Sequence, residues 1–459
     1  MDIKEIVAEG NDPVWVIGRL KEKSIRVPAW ATLDKAYDPK KHPVMDKKLY
    51  PDKVTKKGVQ KVTRITLSLP KLAAKRMSGL MFGLPVKRIY KTQSDEDKRA
   101  ANIIEAIFAK NRIDSVNRER GKQLFASCEV ATIWYSQEQD TTYAGEPSRL
   151  KLRCKSYCPM NGDAIYPLYD EYDDMIALSI EYQRREGDRD VTYFDTYTAT
   201  EHIRWRTEGS SPEEEIRESI ELAKIPGVYL YRPEPIWEGE AENVYEAEWT
   251  LSRNGNYIRK NARPNWVIFS DEKVKTGQEP TNDNEGRNVL RYPKDAKAGY
   301  VTWQQAIESI KYHVEEIKRN FFTNLQLPDM SMDNMKSTPM SGEARKMLFI
   351  DAQMKAEDES GPWLEFFDRE VNVVKAFAKK MYPSLAGAIE SLQVEVLITV
   401  YQIRDETERI NNLTNATNGK PIASQRTAIQ RLGWVDDVDA EIAQLESEST
   451  VSLFDEPTV

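Results

Sequence analysis

A chain of 459 residues is long enough for more than one folding unit, and its 40% hydrophobic residues can fill real cores. The 66 basic and 74 acidic residues give a formal net charge of −8, which argues against a dedicated nucleic-acid-binding protein with a basic domain. No run of 18 apolar residues is present, so we expect no membrane span, and the polar, acidic N-terminus does not resemble a signal peptide.

The N-terminal third begins with a polar stretch and continues with helices. Within residues 1–60, the basic run from Lys40 to Lys61 is typical of a solvated arm, with contact to nucleic acid as the alternative. Apolar spacing predicts helices over Leu67–Met81 and residues 95–127. Between them, a Gly-Leu-Pro sequence ends the first helix and begins a short strand at Val86–Tyr90.

Residues 126–206 are rich in β-branched and aromatic residues that partly alternate with polar ones. This pattern predicts a mostly antiparallel sheet, and with the preceding helices it gives an α+β fold class. The segment Ile225-Pro226-Gly227-Val228 follows, with two more prolines at 233 and 235. Proline interrupts both helices and central strands, so we predict a domain boundary here.

Two amphipathic helices, over residues 240–258 and 303–324, bracket a small insertion. Their apolar seams consist of Val244, Ala247, Leu251 and Ile258 in the first helix and Trp303, Ile307, Ile310, Val314, Ile317 and Phe321 in the second. Such seams predict packing against another helix. In the insertion, residues 261–300, short strands are expected at Trp266–Phe269 and Asn288–Arg291, around a polar loop.

The segment Leu327–Met340 has neither helical nor strand spacing and holds four of the 13 methionines. A loop of this length is usually functional or disordered, and its methionines fit either a flexible apolar contact surface or packing under neighbouring helices. A long helix is predicted from Ser341 to Met381. We expect a kink at Gly361-Pro362, because proline lacks the backbone donor.

The C-terminal region is predicted to contain a short strand at Val394–Tyr401 followed by helices. It is strongly acidic, with eight carboxylates and no basic residue between Asp436 and Glu456.

The sequence lacks the motifs of nucleotide-binding, serine hydrolase and zinc protease sites. Cys128, Cys154 and Cys158 have no histidine nearby, so we expect structural thiols, no metal site and no cofactor. The acidic pairs 173–174 and 436–437 could hold magnesium as in a nuclease, but such pairs are mostly solvated surface.

The order of these features resembles the portal proteins of tailed double-stranded DNA phages, in particular the siphophage-type family typified by Bacillus phages. The resemblance is carried by SGLMFGLPVKRIY at 78–90, NGDAIYPLYDEYDDMIALSIEY at 161–182, Ile225-Pro226, Ser341-Gly342-Glu343-Ala344, Gly419–Thr427, and Trp434–Asp437 with Glu441 and Glu446. These six pieces occur in the family's order across most of the chain.

The resemblance implies a portal fold with named parts. The wing would consist of residues 1–235 and of residues 341–402, which hold the long kinked helix and a wing strand. The stem would be residues 236–258 and 303–324, and the clip between them residues 259–302. The tunnel loop would be residues 325–340 and the helical crown residues 403–459. The seam residues above, other than Ala247, would pack the stem. The tunnel loop would bring Met330, Met332, Asp333, Asn334, Met335, Lys336 and Met340 to a DNA channel. The clip would dock partners through Trp266, Glu279, Asn282, Asp283 and Asn284.

The implied function is structural rather than enzymatic. Twelve copies would form a ring at one capsid vertex, through which double-stranded DNA passes during packaging and ejection, held by non-specific contacts. The implied partners are the large terminase subunit, the head-tail adaptor, the major capsid protein and a scaffold, with no membrane. Because the chain has no ATP-binding motif, the packaging motor would be another chain.

Two other hypotheses assign the chain to different classes of protein. In the first, the chain is another ring-forming connector or a capsid-associated protein, which would share oligomerisation but lack the tunnel loop and the stem–clip–stem order. An enzyme acting on DNA through magnesium-bound carboxylates would reveal itself in a nuclease assay with magnesium.

Overall fold

The computed structural model describes residues 3–22, 25, 27–55, 58–209, 211–261, 265–269, 281–282, 288–289, 297–301, 307–328, 350–400, 406–417, 421–435 and 438–452. Its α-helices are α1 Ile3–Ile6, α2 Pro13–Leu20, α3 Trp30–Tyr37, α4 Leu69–Phe82, α5 Asp95–Lys110, α6 Ile113–Ser127, α7 Ala241–Asn261, α8 Ile307–Asn324, α9 Ile350–Met381, α10 Ala386–Ser391, α11 Glu406–Thr417, α12 Gln425–Leu432 and α13 Val438–Ser452.

The strands are β1 Lys53–Thr55, β2 Gly58–Gln60, β3 Lys87–Lys91, β4 Glu129–Tyr143, β5 Glu146–Tyr157, β6 Ala164–Tyr169, β7 Met175–Glu186, β8 Arg189–Tyr197, β9 Glu201–Thr207, β10 Pro212–Ser219, β11 Gly227–Tyr231, β12 Asn265–Phe269, β13 Thr281–Asn282, β14 Asn288–Val289, β15 Lys297–Val301 and β16 Gln393–Leu397. Mixed helix and antiparallel sheet confirm the α+β prediction.

Two antiparallel sheets form the β part of the main body. The larger has the order β10-β9-β8-β7-β6, so neighbours in sequence are neighbours in space, and the smaller has the order β11-β4-β5. Strand β16 pairs with β3, with Val394 opposite Tyr90, which ties the chain after α9 to the N-terminal region. Antiparallel pairing through short turns is what the alternating segments separated by turn residues predict.

Local signals explain where several helices begin and end. Ser94 and Asp97 form a capping box at the start of α5, in which each side chain accepts a hydrogen bond from the other's backbone N–H. Ser424 accepts from the backbone of Thr427 at the start of α12, and Gly433, at φ 71°, ends that helix.

Several sequence predictions need correction. The helical stretch 95–127 is two helices, because Arg112 adopts a left-handed conformation with φ 51° between them. Strand β11 was not expected among the prolines of 225–235. It is compatible with them because it is an edge strand that lies between Pro226 and Pro233. The predicted bounds of the other elements in the main body differ from those observed by a few residues.

The principal core lies where α4, α5, α6 and α9 cover the smaller sheet. Aromatic rings join these elements edge to face: Phe82 of α4 lies 4.7 Å from Trp363 of α9, and Phe108 of α5 lies 5.8 Å from Trp134 of β4, measured between ring centroids. All four side chains are buried, so this layer fixes α9 to the body.

Two helical glycines offer a test of how tightly α4 and α6 pack. A Cβ at Gly121 would lie 2.8 Å from both Phe82 and Ser78, whereas a Cβ at the exposed Gly79 would meet nothing within 4 Å. We expect G121A to lower the free energy of unfolding by about 1–3 kcal/mol through overpacking. G79A should raise it by up to about 1 kcal/mol by reducing the entropy of the unfolded chain. Urea unfolding of both variants measures the difference, and equal effects would contradict the close packing.

Candidate functional site

The helix pair α7 and α8 and the small strands between them form the candidate site. Helix α7 ends at Asn261, three residues before Pro264, and α8 leads back to the body. At the body end of the pair, the side-chain amide of Asn324 donates to Glu240 Oε1 at 2.8 Å. Farther along, His313 and Glu246 approach to 4.0 Å. The two helices therefore approach each other at the body end and within the first two turns of α7.

The predicted seam residues fall into three groups. Val244, Val314 and Phe321 are buried, and Leu251, Ile310 and Ile317 are half-buried. Ile258 is 53% exposed, because near its C-terminal end α7 turns this face to solvent within a single chain. Ile307 is the first residue of α8, and Trp303 lies outside the described residues.

A second face of α7, which apolar spacing does not reveal, holds an N-terminal segment of the chain. The backbone N–H groups of Thr63, Ile65 and Leu67 donate to Asn256 Oδ1, Ser252 Oγ and Glu248 Oε1 at 2.7, 2.8 and 2.6 Å. Arg259 adds a fourth rung by donating to the Lys61 carbonyl at 3.0 Å. We call residues 38–67 the strap and these contacts the polar ladder.

The polar ladder works because two periodicities match. Side chains four residues apart on a helix are about 6 Å apart along its axis, and alternate residues of an extended chain are about 6.6 Å apart. Helix positions 248, 252 and 256 therefore meet strap positions 67, 65 and 63 in register. At Gly255 the strap approaches so closely that a Cβ would lie 2.9 Å from Thr63 Cγ2.

A buried polar node anchors the base of the strap. His42 lies with Nδ1 2.7 Å from Glu248 Oε1 and Nε2 2.9 Å from the carbonyl oxygen of Ala36. Both ring nitrogens thus face acceptors, and the side chains of His42 and Glu248 are fully buried. Glu248 therefore links α7 to two separate points of the strap, His42 and the Leu67 amide.

The predicted tunnel loop begins in a fixed turn. After α8, Leu325 and Leu327 are buried, and the Leu327 amide donates to the Phe322 carbonyl at 2.9 Å. The Arg76 guanidinium donates to the Pro328 carbonyl at 2.9 Å and lies over the Phe322 ring. The root of the loop is thus attached to α4. The seven residues predicted to face a channel, Met330, Met332, Asp333, Asn334, Met335, Lys336 and Met340, lie outside the described residues.

Helix α9 is described from Ile350, and its predicted portion 341–349 lies outside the described residues. Gly361 and Pro362 both lie inside the helix, and the kink there remains a prediction. Beyond them, Glu370 is held in the core. It accepts from Arg120 at 2.7 and 3.1 Å and from the Trp134 indole N–H at 3.0 Å.

The predicted clip contains two antiparallel pairs in its described residues. Strand β12 pairs with β15, with Trp266 opposite Tyr300, and β13 pairs with β14, with Asn282 opposite Asn288. Glu279, Asp283 and Asn284 lie outside the described residues. The predicted strand at 288–291 is described only as Asn288–Val289. The sequence expectation of a β-containing insertion between two helices is confirmed.

Among the described residues, no group of three or more histidine, cysteine or carboxylate side chains is arranged to hold a metal ion. Burial raises the pKa of Cys128 to about 12, of Cys154 to about 11 and of Cys158 to about 12, which is consistent with structural thiols. No described helix is both long enough and apolar enough to cross a membrane.

A known protein family matches nearly the whole chain. Residues 20–451 match the family described as "Phage portal protein, SPP1 Gp6-like". The chain belongs to this family, which confirms the resemblance drawn from its motifs. Its members are structural proteins of the virion and not enzymes.

Three solved structures align with most of the chain at low sequence identity, with TM-scores of 0.40 or less. A chain of the virion of a native gene transfer agent particle is 10% identical, with 91% of this chain and 98% of that chain covered and a TM-score of 0.40. A chain of the native particle's neck, computed with C12 symmetry, is 11% identical, with 91% of this chain and 98% of that chain covered and a TM-score of 0.39. A chain from the neck of the empty particle, computed with C6 symmetry, is 10% identical, with 80% of this chain and 88% of that chain covered and a TM-score of 0.39. No curated protein matched the sequence.

Proposed function

We propose that about twelve copies of the chain form a closed ring at one capsid vertex and that double-stranded DNA passes through its centre during packaging and ejection. The observation that carries this proposal is the family match across residues 20–451, joined to two contacting helices that bracket a β-containing insertion. In such a ring α7 and α8 act as the stem and β12–β15 as part of the clip.

The stem surface supports contact between neighbouring copies. Tyr257 and Ile258 on α7 are 54% and 53% exposed, and Tyr312 on α8 is 66% exposed. A closed ring joins two different patches of the same chain, and the exposed large side chains on the two proposed stem helices are candidates for these patches.

The tunnel loop, residues 325–340, is the proposed contact with passing DNA. Its fixed root at Leu327 and Pro328 would present the methionine-rich segment at a constant position in the ring. Loose apolar contacts from Met330, Met332 and Met335, with Lys336 meeting phosphate, suit a duplex that must slide. Strong contacts to bases would oppose movement.

The proposed partners follow from the same arrangement. The clip would dock the large terminase subunit during packaging and the head-tail adaptor afterwards. The major capsid protein and a scaffold would surround the ring during assembly. The absence of an ATP-binding motif in the sequence makes the terminase the source of the driving force.

Deleting Met330–Lys336 tests the placement of the tunnel loop. We expect rings to assemble, because the deleted segment lies beyond the fixed turn at 325–328, and we expect the amount of packaged DNA to fall by about tenfold or more. Packaged DNA is measured as nuclease-resistant DNA in particles. A Gly/Ser segment of the same length in place of residues 330–336 is the control for loop length. Intact rings with normal packaging would show that the tunnel loop lies elsewhere.

A further inference from the structure

The strap has a charge distribution unlike that of the chain as a whole. Residues 38–67 contain eight lysines and one arginine but only three aspartates, in a chain with a net charge of −8. Seen in the sequence, such a run is usually a solvated arm. The structure changes that interpretation, because the polar ladder and the His42–Glu248 contact fix the strap's backbone on α7.

Each of the three aspartates of the strap accepts a hydrogen bond from a backbone N–H group of the strap. Asp38 accepts from the Lys40 amide at 3.1 Å, and Asp46 accepts from the Lys48 amide at 2.7 Å. Asp52 accepts from the Val62 amide at 3.0 Å and from Arg64 at 2.9 Å. The Val62 and Arg64 hydrogen bonds lower the pKa of Asp52.

Four lysines in the middle and at the end of the strap, by contrast, point outward, as does Lys40 near its start. Lys47, Lys48, Lys53 and Lys61 are exposed, and the structure gives none of them an ion pair within the described part of the chain. Lys53 lies opposite Gln60 at the base of the β1–β2 hairpin, so Lys53 and Lys61 flank that base. Lys47 is close enough to Asp52 to contribute to its lowered pKa. Lys47, Lys53 and Lys61 therefore lie near Asp52, Lys48 is next to Lys47 in the sequence, and the strap's own aspartates accept hydrogen bonds within it.

We infer that these four lysines form a second, sequence-independent binding surface for the phosphate backbone of double-stranded DNA, on the flank of the stem and separate from the tunnel loop. Flexible ammonium groups on a fixed backbone bind phosphates as point charges and carry no base specificity. Arg259, exposed on α7 and bonded to the Lys61 carbonyl, extends the same positive surface along the helix. This surface goes beyond the channel contacts proposed above and does not depend on where the tunnel loop lies.

The test measures how salt weakens DNA binding. The full-length protein is titrated into a fluorescent duplex of about 24 base pairs between about 50 and 200 mM salt, and anisotropy gives the affinity. For K47Q/K48Q/K53Q/K61Q we expect the slope of log affinity against log salt to fall by about 3 to 4. At the lowest salt we expect affinity to fall by about tenfold or more.

The matched control is K35Q/K71Q/K75Q/K87Q. It removes the same charge from four exposed lysines outside the strap that have no ion pair in the described part of the chain. The inference requires the control to keep nearly the wild-type slope. An unchanged slope in the strap variant, or an equal loss in the control, would overturn it.

Competition with polyglutamate distinguishes DNA from an acidic protein partner. The competitor is polyglutamate at the same concentration of negative charges as the DNA. Binding of DNA that persists under these conditions supports the inference. Competition by polyglutamate as strong as that by unlabelled DNA would overturn it in favour of a protein partner. Native mass spectrometry of the same preparations measures the mass of the assembly and so tests the proposed ring separately from the lysine surface. Rings with an unchanged salt slope would refute the lysine surface alone, whereas an absence of rings would count against the proposed function.

Discussion

E370A is expected to lower the free energy of unfolding by about 3–5 kcal/mol, the typical cost of breaking a buried ion pair on one side. Arg120 and Glu370 are almost completely buried, at 0% and 1% side-chain exposure. Without Glu370, the Arg120 charge keeps only the neutral oxygens of Asn117 and Ser156, and the Trp134 indole N–H loses its acceptor. Thermal and urea unfolding measure the loss.

The control for this prediction is E365A on the same helix. Glu365 is 65% exposed and pairs with Arg369 one turn away, so its removal should cost about 0.5 kcal/mol or less. The double variant R120M/E370L removes both charges and should be more stable than E370A, because no charge is left buried without a partner. If E370A behaves like E365A, the buried pair does not hold α9 in the core.

E248A should release the strap from α7. The substitution removes the acceptor for both His42 and the Leu67 amide in a fully buried site, for an expected loss of about 3 kcal/mol in the stability of that region. Arg64, now only 12% exposed and paired with Asp52, should then be cut faster by trypsin. Limited proteolysis followed by mass spectrometry identifies the cut.

The matched control is E242A, which removes an exposed carboxylate from the first turn of the same helix. E248Q should give an intermediate result, because its amide oxygen can still accept from Leu67 while the charge facing His42 is lost. Equal trypsin sensitivity of E248A and E242A would contradict the role of Glu248 as the anchor of the strap.

Helices and strands with a strong local pattern were predictable from the sequence. The helix over 69–82, the strand after it and the antiparallel sheet all follow from apolar spacing and from turn residues between the elements. The prediction of one helix over 95–127 was wrong because Arg112 is left-handed, and a left-handed residue between two helices does not change the spacing of apolar residues.

The contacts that position the candidate stem were not predictable in the same way. Glu248, Ser252 and Asn256 have the spacing of an ordinary solvent-facing helix stripe, and only their pairing with alternate strap residues reveals the ladder. Arg120 and Glu370 are 250 positions apart, so no local periodicity connects them. The close approach at Gly255 was the one residue-level signal available, since a glycine within a helix often marks a tight contact.

The mass and symmetry of the purified protein test the central claim most directly. Native mass spectrometry and negative-stain imaging should give rings of about twelve copies with a central hole wide enough for double-stranded DNA. A stable dimer, or a small closed oligomer without a hole, would contradict the account.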